Sequence, residues 1–171
     1  NIGRYVSNYV RHRVFNIDFN EMSKNIKMEL IAFALMPNHF HFILKEKEQG
    51  GISKYLQRIQ NSYTKYINTK NGKIGHLFQG SYQSVHIESN EQLLHLSAYV
   101  HRNPREIKKW KDEESVFPWS SFTDYIKENR WGELLNTGFL LSQFEEPEEY
   151  KNFVDESGTK LFLEEKQMLD F

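Results

Sequence analysis

Residues 29–45 read Glu-Leu-Ile-Ala-Phe-Ala-Leu-Met-Pro-Asn-His-Phe-His-Phe-Ile-Leu-Lys, and the fold is expected to follow from how this stretch divides. Residues 29–35 form an apolar run of strand length, the pattern of a strand buried on both faces. Met36-Pro37-Asn38 punctuates it as a turn, since proline cannot donate to a ladder. Residues 39–45 then return as a second strand, antiparallel to the first. Alternation sends His39 and His41 to one side, about 6.5–7 Å apart along the backbone. Phe40 and Phe42 face the other way, toward a core. Two imidazoles so placed can close on one ion.

Outward from this hairpin the periodicity alternates between strand and helix. Residues 9–15 are strand-like, and residues 19–27 suit a short helix capped by Asp18 or Asn20. Gly50-Gly51 breaks the chain before residues 52–68, where Ile52, Tyr55, Leu56, Ile59, Tyr63, Tyr66 and Ile67 recur at helical spacing. Asn71-Gly72 centres a turn over residues 70–73. Residues 81–87 read as a fourth strand. Ser89 with Gln92 three residues on makes a capping box that opens a helix running to about Arg102. The order β-α-β-β-α-β-α begins with the six elements of a ferredoxin-like split βαβ sandwich, an α+β fold with an antiparallel sheet and helices on one face. Beyond Trp110, residues 119–126, 136–144, 148–155 and 159–169 read as short helices, with Thr137 and Thr159 as caps. The chain therefore divides into residues 1–110, which carry the chemistry, and residues 111–171, an acidic helical extension packed on them.

Charge follows the same division. The net charge of −1 hides 16 Lys and Arg against 8 Asp and Glu in residues 1–110, and 6 against 15 in residues 111–171. Residues 49–87 carry Lys54, Arg58, Lys65, Lys70 and Lys73 and no acid. Such a segment attracts a polyanion by counterion release. A solvated helix face that lacks acids is the plain alternative. The acidic extension can be read as screening this basic surface or as a structural cap. There is no cysteine, hence neither a disulfide framework nor a thiolate metal site. The longest apolar run, residues 30–37, is too short to span a bilayer and no signal peptide is visible. A cytoplasmic protein without a membrane partner is expected. The chain opens at Asn1 rather than methionine, so further residues upstream are expected too.

The helix ending near Arg102 carries the second half of the site. Leu93, Leu96 and Val100 form an apolar stripe, while His95, Tyr99 and Asn103, spaced by four, share a neighbouring face. Pro104 disfavours helical angles at Asn103, which puts that residue in the last turn or just past it. A divalent ion held by His39, His41 and an oxygen ligand such as Asn103 would polarise a phosphodiester. The Tyr99 hydroxyl could then attack in line, giving a phosphotyrosyl ester and a free 3′-hydroxyl. A free phenol ionises only near pH 10, so the ion's field or a base must activate it. His95 is a candidate base, though a surface or capping role suits it as well.

Several motifs in order make the resemblance specific: Met36-Pro37-Asn38-His39-Phe40-His41, Ser62-Tyr63-Thr64-Lys65-Tyr66, Gly75-His76-Leu77-Phe78-Gln79-Gly80, Tyr99-Val100-His101-Arg102-Asn103-Pro104 and Trp119-Ser120-Ser121-Phe122. The chain resembles the single-tyrosine HUH transposases with an IS200-like domain, and most of all the REP-associated tyrosine transposases. That resemblance implies Mg²⁺ or Mn²⁺ on His39 and His41, with Asn103 as third ligand. It implies Tyr99 as the nucleophile, forming a 5′-phosphotyrosine with single-stranded DNA near a hairpin. It also implies a bacterial, nucleoid-associated protein acting as monomer or homodimer. Ser81 and Gln83 depart from it, standing where many relatives carry Arg and Lys.

Plainer readings stand beside these. An isolated His-x-His is usually two strand histidines, and Tyr63, Tyr66 and Tyr82 are rival nucleophiles in a basic, aromatic segment. The aromatics between Lys54 and Lys65 could stack bases or simply be the buried face of a helix. Lys54, Arg58, Lys65, Lys70 and Lys73 are the candidate DNA contacts. Two other functions compete with strand transfer. One is a non-catalytic protein that binds single-stranded or hairpin DNA. The other is a metal enzyme acting on a small phosphorylated molecule, against which the long acid-free segment speaks.

Overall fold

The computed structural model describes residues 27–158. Its sheet is the expected hairpin, β1 (Met28–Leu35) paired antiparallel with β2 (Phe40–Glu46). The turn is closed by the Met36 amide donating to the His39 carbonyl at 2.9 Å. Ile31, Ala32, Phe33 and Ala34 are all buried, as an unbroken apolar run requires, whereas Ile43 is the one buried residue of β2. Phe40 and Phe42 reach only half-burial, with ring centroids 4.9 Å apart. With its helices the molecule is of the α+β class. No helix among the described residues is long and apolar enough to cross a membrane.

The described chain forms two compact units, residues 27–29 with 45–83 and residues 30–44 with 84–158. In the first, α1 (Gly51–Asn71) starts where Gly50 takes a left-handed φ of 76°. A Cβ on Gly51 would collide with the Lys27 carbonyl, so the helix enters through a close approach that only glycine permits. The helix stops at Gly72, whose left-handed φ of 61° lets its amide reach the Asn68 carbonyl. Leu56 is the only side chain of α1 that is fully buried.

In the second unit, α2 (Asn90–Arg102) begins at Ser89, whose hydroxyl accepts the Gln92 amide at 3.1 Å. The Gln92 carboxamide reaches back one residue further than a capping box requires and accepts from the Glu88 amide at 2.6 Å. Three short 3₁₀ turns, Asn103–Glu106, Lys108–Trp110 and Glu114–Val116, lead to α3 (Phe122–Ile126). Another turn, Gly132–Leu134, precedes α4 (Gly138–Leu141) and α5 (Pro147–Glu156). One core joins them: Ile31 and Ile43 of the hairpin, Leu93 and Val100 of α2, and Phe122, Tyr125, Leu140, Tyr150 and Val154 of the C-terminal segment.

Several expectations change or fall outside the described residues. Residues 81–87 pair with no strand among the described residues; in a split βαβ sheet their partner is the first strand, and residues 9–15 fall outside the described residues. The helices expected over 19–27 and 159–169, with Thr159, also fall there except Lys27, which lies in a bend. The helix expected from 119 starts only at Phe122, because the backbone before it lies along β1. The Leu35 amide donates to the Trp119 carbonyl at 2.8 Å, and the Ser121 amide to the Phe33 carbonyl at 2.9 Å. The helix expected over 136–144 shrinks to α4, because the Asn136 amide is committed to the Leu30 carbonyl at 2.9 Å. Its start is capped by the Asn136 carboxamide, which accepts the Phe139 amide at 3.1 Å, and not by the Thr137 hydroxyl. The C-terminal segment thus closes the edge of β1 that β2 leaves open, protecting it from pairing with another chain.

Candidate active site

β2 and α2 bring the expected residues together in the second unit. His39 and His41 leave the hairpin on one side, with ring centroids 4.9 Å apart and planes nearly perpendicular. The Tyr99 ring stands 5.5 Å from the His41 ring, also edge to face. Tyr99 is half-buried, so its ring is packed in place while part of it reaches solvent.

Asn103 completes the cluster from the C-terminal end of α2. It keeps helical angles, φ −51° and ψ −37°, although proline follows. Its amide, shared between the Tyr99 and Val100 carbonyls, and the tight 3₁₀ turn through a buried Pro104 offset that steric preference. Asn103 is 4 % exposed, yet among the described residues neither its oxygen nor its side-chain nitrogen has a hydrogen-bond partner. The buried Nε2 of His41 has none either. Asn103 lies near enough to favour protonation of His41, but without the distance and angle of a hydrogen bond.

Protonation states suit a cation seat. Burial first, and then the neighbouring His39, push His41 down to about 4, against the smaller opposing effect of Asn103. The ring is therefore neutral near pH 7 and keeps a lone pair to give. His39 is exposed and its Nδ1 lies 2.8 Å from the Asn38 carboxamide oxygen. With Nδ1–H donating to that oxygen, Nε2 keeps its lone pair. Among the described residues no three His, Cys, Asp or Glu side chains gather to hold an ion. A cation here would take two imidazoles and the amide oxygen, with water completing its shell. Buried polar atoms without partners fit such a group.

Other candidates sit elsewhere. The His95 ring lies 5.7 Å from Phe153 of α5. Tyr82 shares a 2.9 Å hydrogen bond with the Ser53 hydroxyl, and Tyr63 and Tyr66 are exposed on α1. Lys54, Arg58, Lys65, Lys70 and Lys73 are all exposed, and none joins an ion pair among the described residues. Lys70 leans over the Tyr66 ring at 5.8 Å.

Sequence reasoning assigned no role to His101, Ser97, Ser121 or Tyr150, all fully buried and joined by hydrogen bonds. The available signal was the position of His101, two residues from both Tyr99 and Asn103 and so on the opposite face of the helix.

A family model for transposases, described as IS200-like, matches residues 4–103. No curated protein and no solved structure matches the chain.

Proposed function

The chain belongs to the IS200-like transposase family, and we propose that it is a metal-dependent DNA strand transferase acting on single strands near hairpins through Tyr99. Family membership makes it a DNA-processing enzyme. What supports the finer reading is one juxtaposition: a tyrosine ring 5.5 Å from His41, beside buried and unpaired polar atoms of His41 and Asn103.

In this mechanism the Tyr99 oxygen attacks the scissile phosphorus. A bond from Tyr99 to phosphorus forms as the bond to the 3′ oxygen breaks. The phenol gives up its proton and the leaving oxygen takes one up, so the step consumes no net proton. The DNA is left as a free 3′-hydroxyl and a 5′-phosphate esterified to Tyr99. A second 3′-hydroxyl reverses the exchange without ATP, because the ester preserves the broken bond. His39, His41 and Asn103 would hold Mg²⁺ or Mn²⁺, which when bound polarises the phosphate as a Lewis acid. The exposed Lys54, Arg58, Lys65, Lys70 and Lys73, in no ion pair among the described residues, would contact the phosphate backbone.

The test is covalent capture. With Mn²⁺ and a labelled hairpin bearing single-stranded flanks, the protein should migrate as a DNA adduct under denaturing conditions. Tyr99→Phe should abolish the adduct and leave binding intact. An adduct from the Phe variant would move the nucleophile to Tyr63, Tyr66 or Tyr82. The exposed neutral side chains of Ser81 and Gln83 favour one second reading, a hairpin binder without catalysis. Chelator-insensitive binding with no adduct under any metal would select it.

A further inference from the structure

We propose that His101, Ser121 and Tyr150 are positioning residues, a buried tie that sets the rotation of the tyrosine helix against the strand pair carrying the two imidazoles. It takes its functional meaning from the strand-transfer reading. It differs in locating part of the catalytic geometry in residues 121–150, beyond the stretch that the family match covers.

The tie can be followed atom by atom. His101 Nε2 lies 2.8 Å from the Ser121 hydroxyl. That hydroxyl accepts the Phe33 amide of β1 at 2.9 Å and lies 3.2 Å from the Phe33 carbonyl. On the other side of the ring, Nδ1 lies 2.7 Å from the Tyr150 hydroxyl of α5. Tyr150 donates to the Ser97 hydroxyl at 3.1 Å, and Ser97 to the Leu94 carbonyl at 2.7 Å, one turn back along α2. Phe122 stacks on the imidazole at 5.2 Å and 18°, and Tyr125 and Tyr150 pack around it. Both ring nitrogens are thus fixed, one toward β1 and one toward α5, with no solvent to substitute for either partner.

His101 faces away from Tyr99 and Asn103, so holding its ring holds the rotation of the turn that carries both. A helix of about 2.3 Å Cα radius, longer with side chains, moves a Tyr hydroxyl by more than 1 Å for each 10° of roll. A displacement of that size is enough to cost catalysis heavily. Hydrophobic packing alone is poor at fixing roll, because apolar contacts are not directional. Two directional bonds to one buried ring are good at it.

The experiment compares Tyr150→Phe and Ser121→Ala, each of which removes a hydrogen bond while keeping most of the packing, with the full chain. The first readout needs no activity: nuclear Overhauser contacts between the Tyr99 and His41 rings in the metal-free protein. They should be present in the parent and weakened in both variants, with the circular dichroism of the fold retained. The second is Mn²⁺ binding followed by the electron-spin resonance of the free ion, expected to weaken about tenfold. The third is the DNA cleavage rate, expected to fall about tenfold at saturating DNA with the half-saturating DNA concentration unchanged. Tyr150→Ser should fail to restore any of these, because its hydroxyl cannot reach the ring. Ring contacts, Mn²⁺ affinity and cleavage rate all at parental values in both variants would overturn the proposal. A parent that never cleaves DNA, with ring contacts still lost in the variants, would instead sink the strand-transfer reading and leave the positioning role standing.

Discussion

Asn103 is 4 % exposed, and its carboxamide oxygen and nitrogen have no hydrogen-bond partner among the described residues. A buried polar group without a partner costs about 1–3 kcal/mol, so this side chain burdens the metal-free protein. The burden makes sense if a cation is the missing partner. Asn103→Leu, nearly equal in size, should therefore raise the unfolding free energy of the metal-free protein by about 1 kcal/mol in urea titrations. Mn²⁺ should then stabilise the parent, by about 2.7 kcal/mol at a hundredfold excess over Kd, and should fail to stabilise the variant. A variant less stable without metal, yet still stabilised by it, would show that Asn103 is structural. At this scale the sequence was informative. That His39 lies beside His41, and Tyr99 near Asn103, follows from strand alternation and helical spacing, both short-range rules. The unpaired state of Asn103 does not, because it depends on which side chains from distant segments fail to reach it.

Elements read from local signals fare the same way. The β1–β2 hairpin, the Ser89 cap and the glycine stop of α1 appear where residues a few positions apart predict them. Residues 119–121 and 136 do not follow their helical pattern. They bond to a strand about a hundred residues earlier, and that partner is invisible to any local window. The buried imidazole among those contacts makes the association sensitive to acid. Burial pushes His101 down to about 3, whereas a histidine in the unfolded chain titrates near 6.5. Between those values the unfolded state binds more protons, so stability rises with pH. The contribution is complete above about pH 6.5 and is lost as pH falls toward 3, by up to about 1.4 kcal/mol per pH unit. His41 acts in the same direction. At the alkaline end the signs reverse: burial raises Tyr125 and Tyr150, so their contribution holds below about pH 10 and fades above it. Urea unfolding of the metal-free protein should give a stability plateau from about pH 7 to 10 with losses on both sides. His101→Phe should flatten the acid side, and an unchanged acid slope would refute the assignment.

For the whole molecule, charge changes sign near residue 110, and the segment beyond it packs into a core shared with the part before it. Phe122, Tyr125, Leu140, Tyr150 and Val154 share one core with Ile31 and Leu93. A chain ending at residue 110 should consequently be insoluble or unfolded by circular dichroism, and a soluble, cooperative fold would contradict the shared core. The acids of the C-terminal segment are partly spent on ion pairs. Glu114 and Asp155 hold Arg105, and Asp124, 1 % exposed, holds Arg130. Among the described residues the bases of residues 49–87 have no such partners, and this asymmetry predicts how binding to DNA should depend on salt. Each phosphate contact on a single strand contributes about 0.7 to the slope of log K against log salt. Replacing Lys54, Arg58 and Lys65 together with glutamine should lower that slope by about 2, seen by fluorescence anisotropy of a labelled oligonucleotide across a sodium chloride series. Lys151→Gln is the control, since Lys151 already pairs with Glu148 and Asp155 and should leave the slope alone. A triple variant with the parental slope would mean that the strand runs elsewhere and that the acid-free face of α1 is only solvated.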